Sequence, residues 1–108
     1  MLEHQEEMRG GMQEYKIKQA NDLSLQNISS LVRRGLVHVV ADMNEATTEL
    51  TDETLQRLKL NMTILRPFRN VAIHQYGQVD NVMLYAVIQH CISKEVTDSI
   101  KATLSTLL

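Results

Sequence analysis

Between Arg66 and Asp80 the chain collects the polar side chains needed to act on a phosphodiester. His74 belongs to the one residue type that ordinarily exchanges a proton near neutral pH. Arg69 offers a planar, permanently charged fork that matches phosphate oxygens. Asn70, next in the chain, can position a ligand or cap local backbone. Tyr76 brings a hydroxyl two residues beyond His74. Together these types suit proton transfer at a phosphodiester, with a fixed cation taking up the charge that develops on phosphoryl oxygens.

Spacing sets a condition on that chemistry. Arg69 and His74 are five residues apart. On an unbroken helix five residues turn about 140° around the axis. The two side chains then converge only if the backbone bends or a second subunit supplies half of the site. Pro67 and Gly77 bracket the segment, so a bend is expected there. An Arg and a His at this spacing occur by chance in many chains, and the pair gains weight only from the string around it. The other histidines offer less. His38 and His90 lie near apolar helix faces and read as core-edge residues, and His4 stands alone in an acidic segment. Cys91 adjoins His90, but no CxxC or HxxxH spacing accompanies it, so neither a metal nor another cofactor is expected.

Charge singles out the same region. The formal net charge is −2, which excludes a uniformly basic nucleic-acid coat. Residues 41–53 hold five acids and no base, whereas residues 54–79 hold no acid and carry Arg57, Lys59, Arg66 and Arg69. Arg33 and Arg34 form a second basic cluster. Charge runs are most often solvated helix faces, so the uneven distribution supports a site without defining one.

The elements that must position these residues are helical. Only 4 glycines and 1 proline occur in 108 residues, too few for the frequent turns of a sandwich or barrel. A hydrophobic fraction of 44% and a charged fraction of 22% fit one globular domain over residues 1–108. Residues 2–20 predict a short first helix, with Met8, Met12 and Tyr15 at helical spacing and a weak point at Gly10-Gly11. Asn21-Asp22 reads as the cap of a second helix whose stripe is Leu25, Ile28, Val32, Leu36, Val39 or Val40, and Met43. Residues 44–50 read as a loop. Thr51-Asp52 opens a third helix with Leu55, Leu58, Met62 and Leu65 inward, ended or kinked at Pro67. Asp80 caps a last helix along Met83, Val87, Cys91 or Ile92, Val96, Ile100, Leu104 and Leu107, either continuous or broken near Ser93-Lys94. The expected fold is an all-α antiparallel bundle of four helices, the first one short. A chain of this size often dimerises to bury what its own core leaves exposed.

The start MLEHQEEMRGG is charged and has no apolar stretch of the kind a signal peptide uses. The longest near-apolar run, residues 35–41, is interrupted by His38 and falls well short of the ~20 residues of a membrane helix. A single cysteine allows no internal disulfide. These features together predict a cytoplasmic protein with no membrane partner.

The string RNVAIHQYGQVD resembles the R-x-x-x-x-H-x-Y signature of the HepT-like branch of the HEPN superfamily. Arg69-Asn70, the apolar Val71-Ala72-Ile73, His74-Gln75-Tyr76 and Asp80 fall in the family's order. The stretch from Asp22 to Met43 is similar to the family's second helix, and the resemblance extends over about residues 22–93. It implies an all-α bundle that pairs into a homodimer with two motifs facing a shared cleft. It implies a metal-independent ribonuclease acting as the toxin of a toxin–antitoxin pair, with Arg69 and His74 as the catalytic pair. Asn70 and Tyr76 would support them. The chain departs from the family in carrying Arg33-Arg34 where the second helix often has an acid, and this basic pair, with Arg66, is expected to bind RNA. The resemblance also implies a nucleotidyltransferase antitoxin that modifies Tyr76 with AMP, setting bulk and negative charge beside Arg69. Two other functions compete with this one. The first is a non-catalytic helical companion or substrate-binding module of a nucleotidyltransferase. The second is a purely structural bundle within a complex.

Overall fold

The first helix owes its existence to packing more than to propensity. In the computed structural model, which describes residues 1–107 apart from the side chain of Leu107, helix α1 spans Leu2–Glu14 straight through Gly10-Gly11. Gly11 lies where α1 meets the second long helix, and a Cβ there would stand 3.0 Å from Leu36 Cδ2. The missing side chain thus permits a close approach that buries Met8 and Met12. At its C-terminus Lys16 takes a left-handed φ of 55°. Its N–H bonds to Gln13 O and the Ile17 N–H to Met12 O, a Schellman closure that folds Ile17 into the core. A lysine in that conformation carries a steric penalty that glycine lacks. Lys16→Gly relieves it at some cost in unfolded-chain entropy. The expected net is a rise of about 2–4 °C in the melting temperature.

Helix α2 spans Ser30–Glu45 and begins later than the sequence suggests. Asn21-Asp22 does not cap it. Those residues form a 3₁₀ turn, Ala20–Leu23, in which Asp22 accepts from the N–H groups of Lys18 and Gln19 at 2.9 and 3.2 Å. Asn27 then bonds back to Asn21 O and Ser24 Oγ, which holds a turn where a helix was expected. Ser29 is the true cap and accepts from Val32 N–H at 3.2 Å. Leu25, expected on the stripe, is 67% exposed. The buried face of α2 is Arg33, Leu36, Val37, Val40, Met43 and Asn44, so a polar residue stands at each end of an apolar stripe. Each of the two satisfies a carbonyl on another element: Arg33 reaches Val79 O at 2.6 Å and Asn44 reaches Leu65 O.

The single helix expected from Thr51 to Pro67 is two. Thr51 caps α3, Asp52–Arg57, as anticipated. Lys59, at φ 62°, then reverses the chain. Asn61 caps the new helix α4, Met62–His74, by accepting from Thr63 N–H at 3.0 Å. Pro67 does not end α4. Pro67 and Thr63, whose carbonyl loses its donor, are both exposed, so water can serve that carbonyl. Asp80 caps α5, Asn81–Cys91, with its side chain 2.7 Å from Met83 N. The chain breaks near Ser93, which caps α6, Lys94–Leu107. Carbonyls freed at the end of α5 are taken up by α1: Gln5 donates to Cys91 O at 2.8 Å and Arg9 to Ile92 O at 3.3 Å.

The result is all-helical, with six α-helices and no strand among the described residues. Helix α2 lies against α1, α4 and α5, and the core between them is built from Met8, Leu23, Val40, Met43, Leu65, Phe68, Leu84 and Ile88. Val96 and Ile100 carry the apolar stripe into α6, while Leu104 is 43% exposed and the expected place of the Leu107 side chain lies outside the described residues. No described helix is long and apolar enough to cross a membrane.

One histidine helps hold the α3–α4 reversal. His90 Nε2 accepts the Asn61 N–H at 2.9 Å, tying the start of α4 to the end of α5. Burial lowers the pKa of His90 below its ordinary 6.5, and Glu95 at the start of α6 offsets part of that. The folded state therefore favours the neutral ring. This contribution is complete above the unfolded value and is lost as pH falls through it towards the folded one. The melting temperature should drop as pH falls through the ordinary value of 6.5, and His90→Gln, which keeps an acceptor but does not titrate, should flatten that part of the profile.

Candidate functional site

Helix α4 is the backbone of the predicted site, and its regularity decides the geometry. It is helical without a break through Arg69, Asn70 and His74. The bend expected between Arg69 and His74 is absent, so within one chain they stay about 140° apart around the axis. Arg69 faces the C-terminal end of α2. It is half-buried and forms an ion pair with Glu45, the last residue of that helix. Its Nε is enclosed and has no hydrogen-bond partner. A small polar pocket of about 180 Å³ opens here, lined by Asn44, Thr47, Thr48, Met62, Arg66, Arg69 and Asn70. Three of the predicted residues therefore meet: Arg66, Arg69 and Asn70.

His74 stands apart from them. It is the final residue of α4 and is exposed. Tyr76 follows in a 3₁₀ turn, Tyr76–Gln78, where it is half-buried. The guanidinium of Arg34, on α2, lies over the Tyr76 ring at 4.8 Å from its centre. Gly77 keeps a negative φ, so the turn does not depend on glycine's freedom. The predicted residues are thus divided between an Arg69 pocket near the middle of α4 and an Arg34–Tyr76 stack beyond its end, with His74 exposed at the helix terminus.

Arg33 was expected to meet RNA at the surface, and the structure places it in the interior. It is 9% exposed, and its guanidinium is engaged by Val79 O and by Asn81 Oδ1 at 3.0 and 3.2 Å. Its work is to fix the turn that carries Tyr76 against α2. Arg34 and Arg66 remain exposed. His38, expected at the core edge, is exposed and faces Asp42 at 3.4 Å. Cys91 is fully buried, and burial pushes its thiol up to about 12, which makes it a poor nucleophile. Among the described residues no three His, Cys, Asp or Glu side chains gather as a metal site.

Sequence reasoning missed Glu45, Asn44, Thr47 and Asn81. Glu45 precedes Arg69 by 24 residues, and no spacing rule links them. The contact exists because α2 and α4 pack side by side. Another feature also emerges only in three dimensions. Leu31 and Ile73 are 79% and 55% exposed, and with Gly35, Ala41 and Ala72 they line a groove of about 520 Å³ along α2 and α4, bordered by Arg34, His38 and Tyr76. No family model, curated protein or solved structure matches this chain.

Proposed function

We propose that this chain is a metal-independent endoribonuclease of the HepT-like kind, a cytoplasmic toxin neutralised by a nucleotidyltransferase antitoxin that modifies Tyr76. The observation that carries the reading is the helix α4 itself. It holds Arg69 and Asn70 on a small polar pocket with Arg66 and ends at an exposed His74, with Tyr76 in the turn after it. In this reading α1, α2, α4 and the α5–α6 pair form an antiparallel four-helix bundle, and two bundles pair.

The dimer supplies what one chain lacks. Arg69 and His74 cannot converge on an unbroken α4, so the His74 that serves a given Arg69 comes from the partner subunit. The groove with exposed Leu31 and Ile73, and small Gly35, Ala41 and Ala72, gives the two α4 helices an apolar surface on which to approach. At the joined site a ribose 2′-oxygen attacks the adjacent phosphorus, and the bond to the 5′-oxygen breaks. His74 takes the 2′ proton or returns one to the leaving oxygen. Arg69 stabilises the charge on the non-bridging oxygens, and Asn70 positions the phosphate. The products are a 2′,3′-cyclic phosphate and a 5′-hydroxyl. Glu45 holds Arg69 until an RNA phosphate replaces it.

The purified protein is expected to cleave RNA in EDTA and to leave cyclic phosphate ends. Intact protein persisting with RNA uncut at high enzyme concentration would sink the reading. Incubation with the cognate nucleotidyltransferase and ATP should add the mass of an adenylate to wild type and not to Tyr76→Phe. A second reading, the non-catalytic companion of a nucleotidyltransferase, draws on the Glu45–Arg69 ion pair, which leaves the arginine occupied. It predicts a stable complex on gel filtration and no cleavage.

A further inference from the structure

Beside the motif and apart from the Arg69 pocket, a cleft of about 640 Å³ lies between the Asn21–Ser30 connection and the turn at Tyr76–Val79. Such a volume suits one nucleotide with room for its neighbours. Three features give it a chemical character. Arg34 at its wall is exposed and has no acidic partner among the described residues, so its charge is not neutralised locally. Its guanidinium lies over the Tyr76 ring while the side chain as a whole is exposed, so a second planar group can stack on it. Asn81 has its Oδ1 held twice by the buried Arg33, which fixes the amide and leaves its NH₂ donors unspent. On the opposite side Ser24 is set by Asn27, and Leu25, 67% exposed, offers an apolar wall.

A flat cation on an aromatic ring, fixed amide donors and an apolar wall match one nucleobase. They suit an unpaired base, because a base within a duplex presents no free face to stack. We propose that this cleft seats a single-stranded RNA nucleotide, its base stacked on Arg34 against Tyr76 and its edge read by Asn81. Arg33 is a positioning residue in this arrangement, and its burial is explained by the amide it orients. The choice of RNA rests on the ribonuclease reading; the stacking cleft does not.

The test uses the full-length protein and a 2′-O-methyl RNA hexamer carrying 2-aminopurine, which has no 2′-hydroxyl to react. Binding is expected to quench the probe, and Arg34→Ala to weaken affinity at least about fivefold. Leu25→Asp, which sets a negative charge at the mouth without touching the core, should weaken it similarly and decides the matter if Arg34→Ala misfolds by circular dichroism. An unquenched probe, or both folded variants binding as wild type does, overturns the proposal. So does competition by the duplex of the same sequence or by free AMP as strong as by the hexamer. Quenching without cleavage of unmodified RNA defeats the ribonuclease reading and leaves the cleft; cleavage without quenching does the reverse.

Discussion

On the ribonuclease reading, Arg69→Ala and His74→Ala are each expected to lower RNA cleavage in EDTA by about a hundredfold or more while leaving the far-ultraviolet circular dichroism unchanged. The magnitude follows from the two roles. A positioned proton carrier contributes about 10²–10⁴ in rate, and removing one donor from a developing oxyanion costs about 10²–10³. The fold survives because neither side chain supports the core. His74 is exposed at a helix end. Arg69 is 31% exposed and its partner Glu45 58%, so the ion pair is a surface one, worth at most about 1 kcal/mol. Lysine is a poor replacement for Arg69, because an ammonium keeps the charge and loses the two-pronged geometry. Glu45→Gln separates roles further. If the carboxylate only holds the free arginine, its removal leaves cleavage intact or raises it at low RNA concentration. Unchanged cleavage by both Arg69→Ala and His74→Ala, measured on preparations free of contaminating nuclease, would remove the catalytic assignment.

How much of this was visible in the chain itself depends on which forces set each element. The all-helical class was legible because scarce glycine and proline and three-to-four apolar spacing act locally. Capping at Thr51 and Asp80 was legible for the same reason: a short polar side chain satisfies N–H groups within three residues of itself. The break at Ser93 was one of two alternatives the sequence left open, and the structure takes it. Other boundaries were set from a distance. The helix expected from Asn21 yields to side-chain bonds from Asn27, and the actual start waits for Ser29. The third helix splits at Lys59 under a bond from Asn61 to His90, 29 residues away. Pro67 read as an end or a kink because proline breaks the helical bonding, yet α4 continues through it and its missing bond faces solvent, where it costs little.

The site was half legible for a related reason. The motif supplies residue types in order along α4 and the turn after it, which fixes the angular positions of Arg69, Asn70 and His74 and nothing else. Which of them meet depends on what packs beside α4. That is why Arg66, Arg69 and Asn70 share a pocket with the end of α2 while Tyr76 belongs to Arg34. Arg33 and Arg34 are adjacent and chemically identical, yet a turn of about 100° sends one into the interior and the other to the surface. A basic pair in sequence was therefore one structural arginine and one free one.

On the ribonuclease reading the unbroken α4 leads to the sharpest prediction, because Arg69 and His74 then share a site only across two subunits. In a two-fold dimer each site takes Arg69 from one chain and His74 from the other. Arg69→Ala and His74→Ala homodimers have every site defective. Mixed and allowed to exchange subunits, they give heterodimers in which one site carries both substitutions and the other carries neither. Half of the dimers are then mixed and each has one intact site of two, so cleavage should return to roughly a quarter of wild type. That is a large recovery from two inactive proteins. If both residues served a site within the same chain, every site in the mixture would lack one of them and no activity would return. The same result separates the enzyme from the companion reading, which predicts no cleavage in any mixture. Ile73→Asp places a charge in the middle of the apolar groove at a residue 55% exposed in the single chain. It should therefore yield monomers by gel filtration and abolish the recovery without unfolding the bundle.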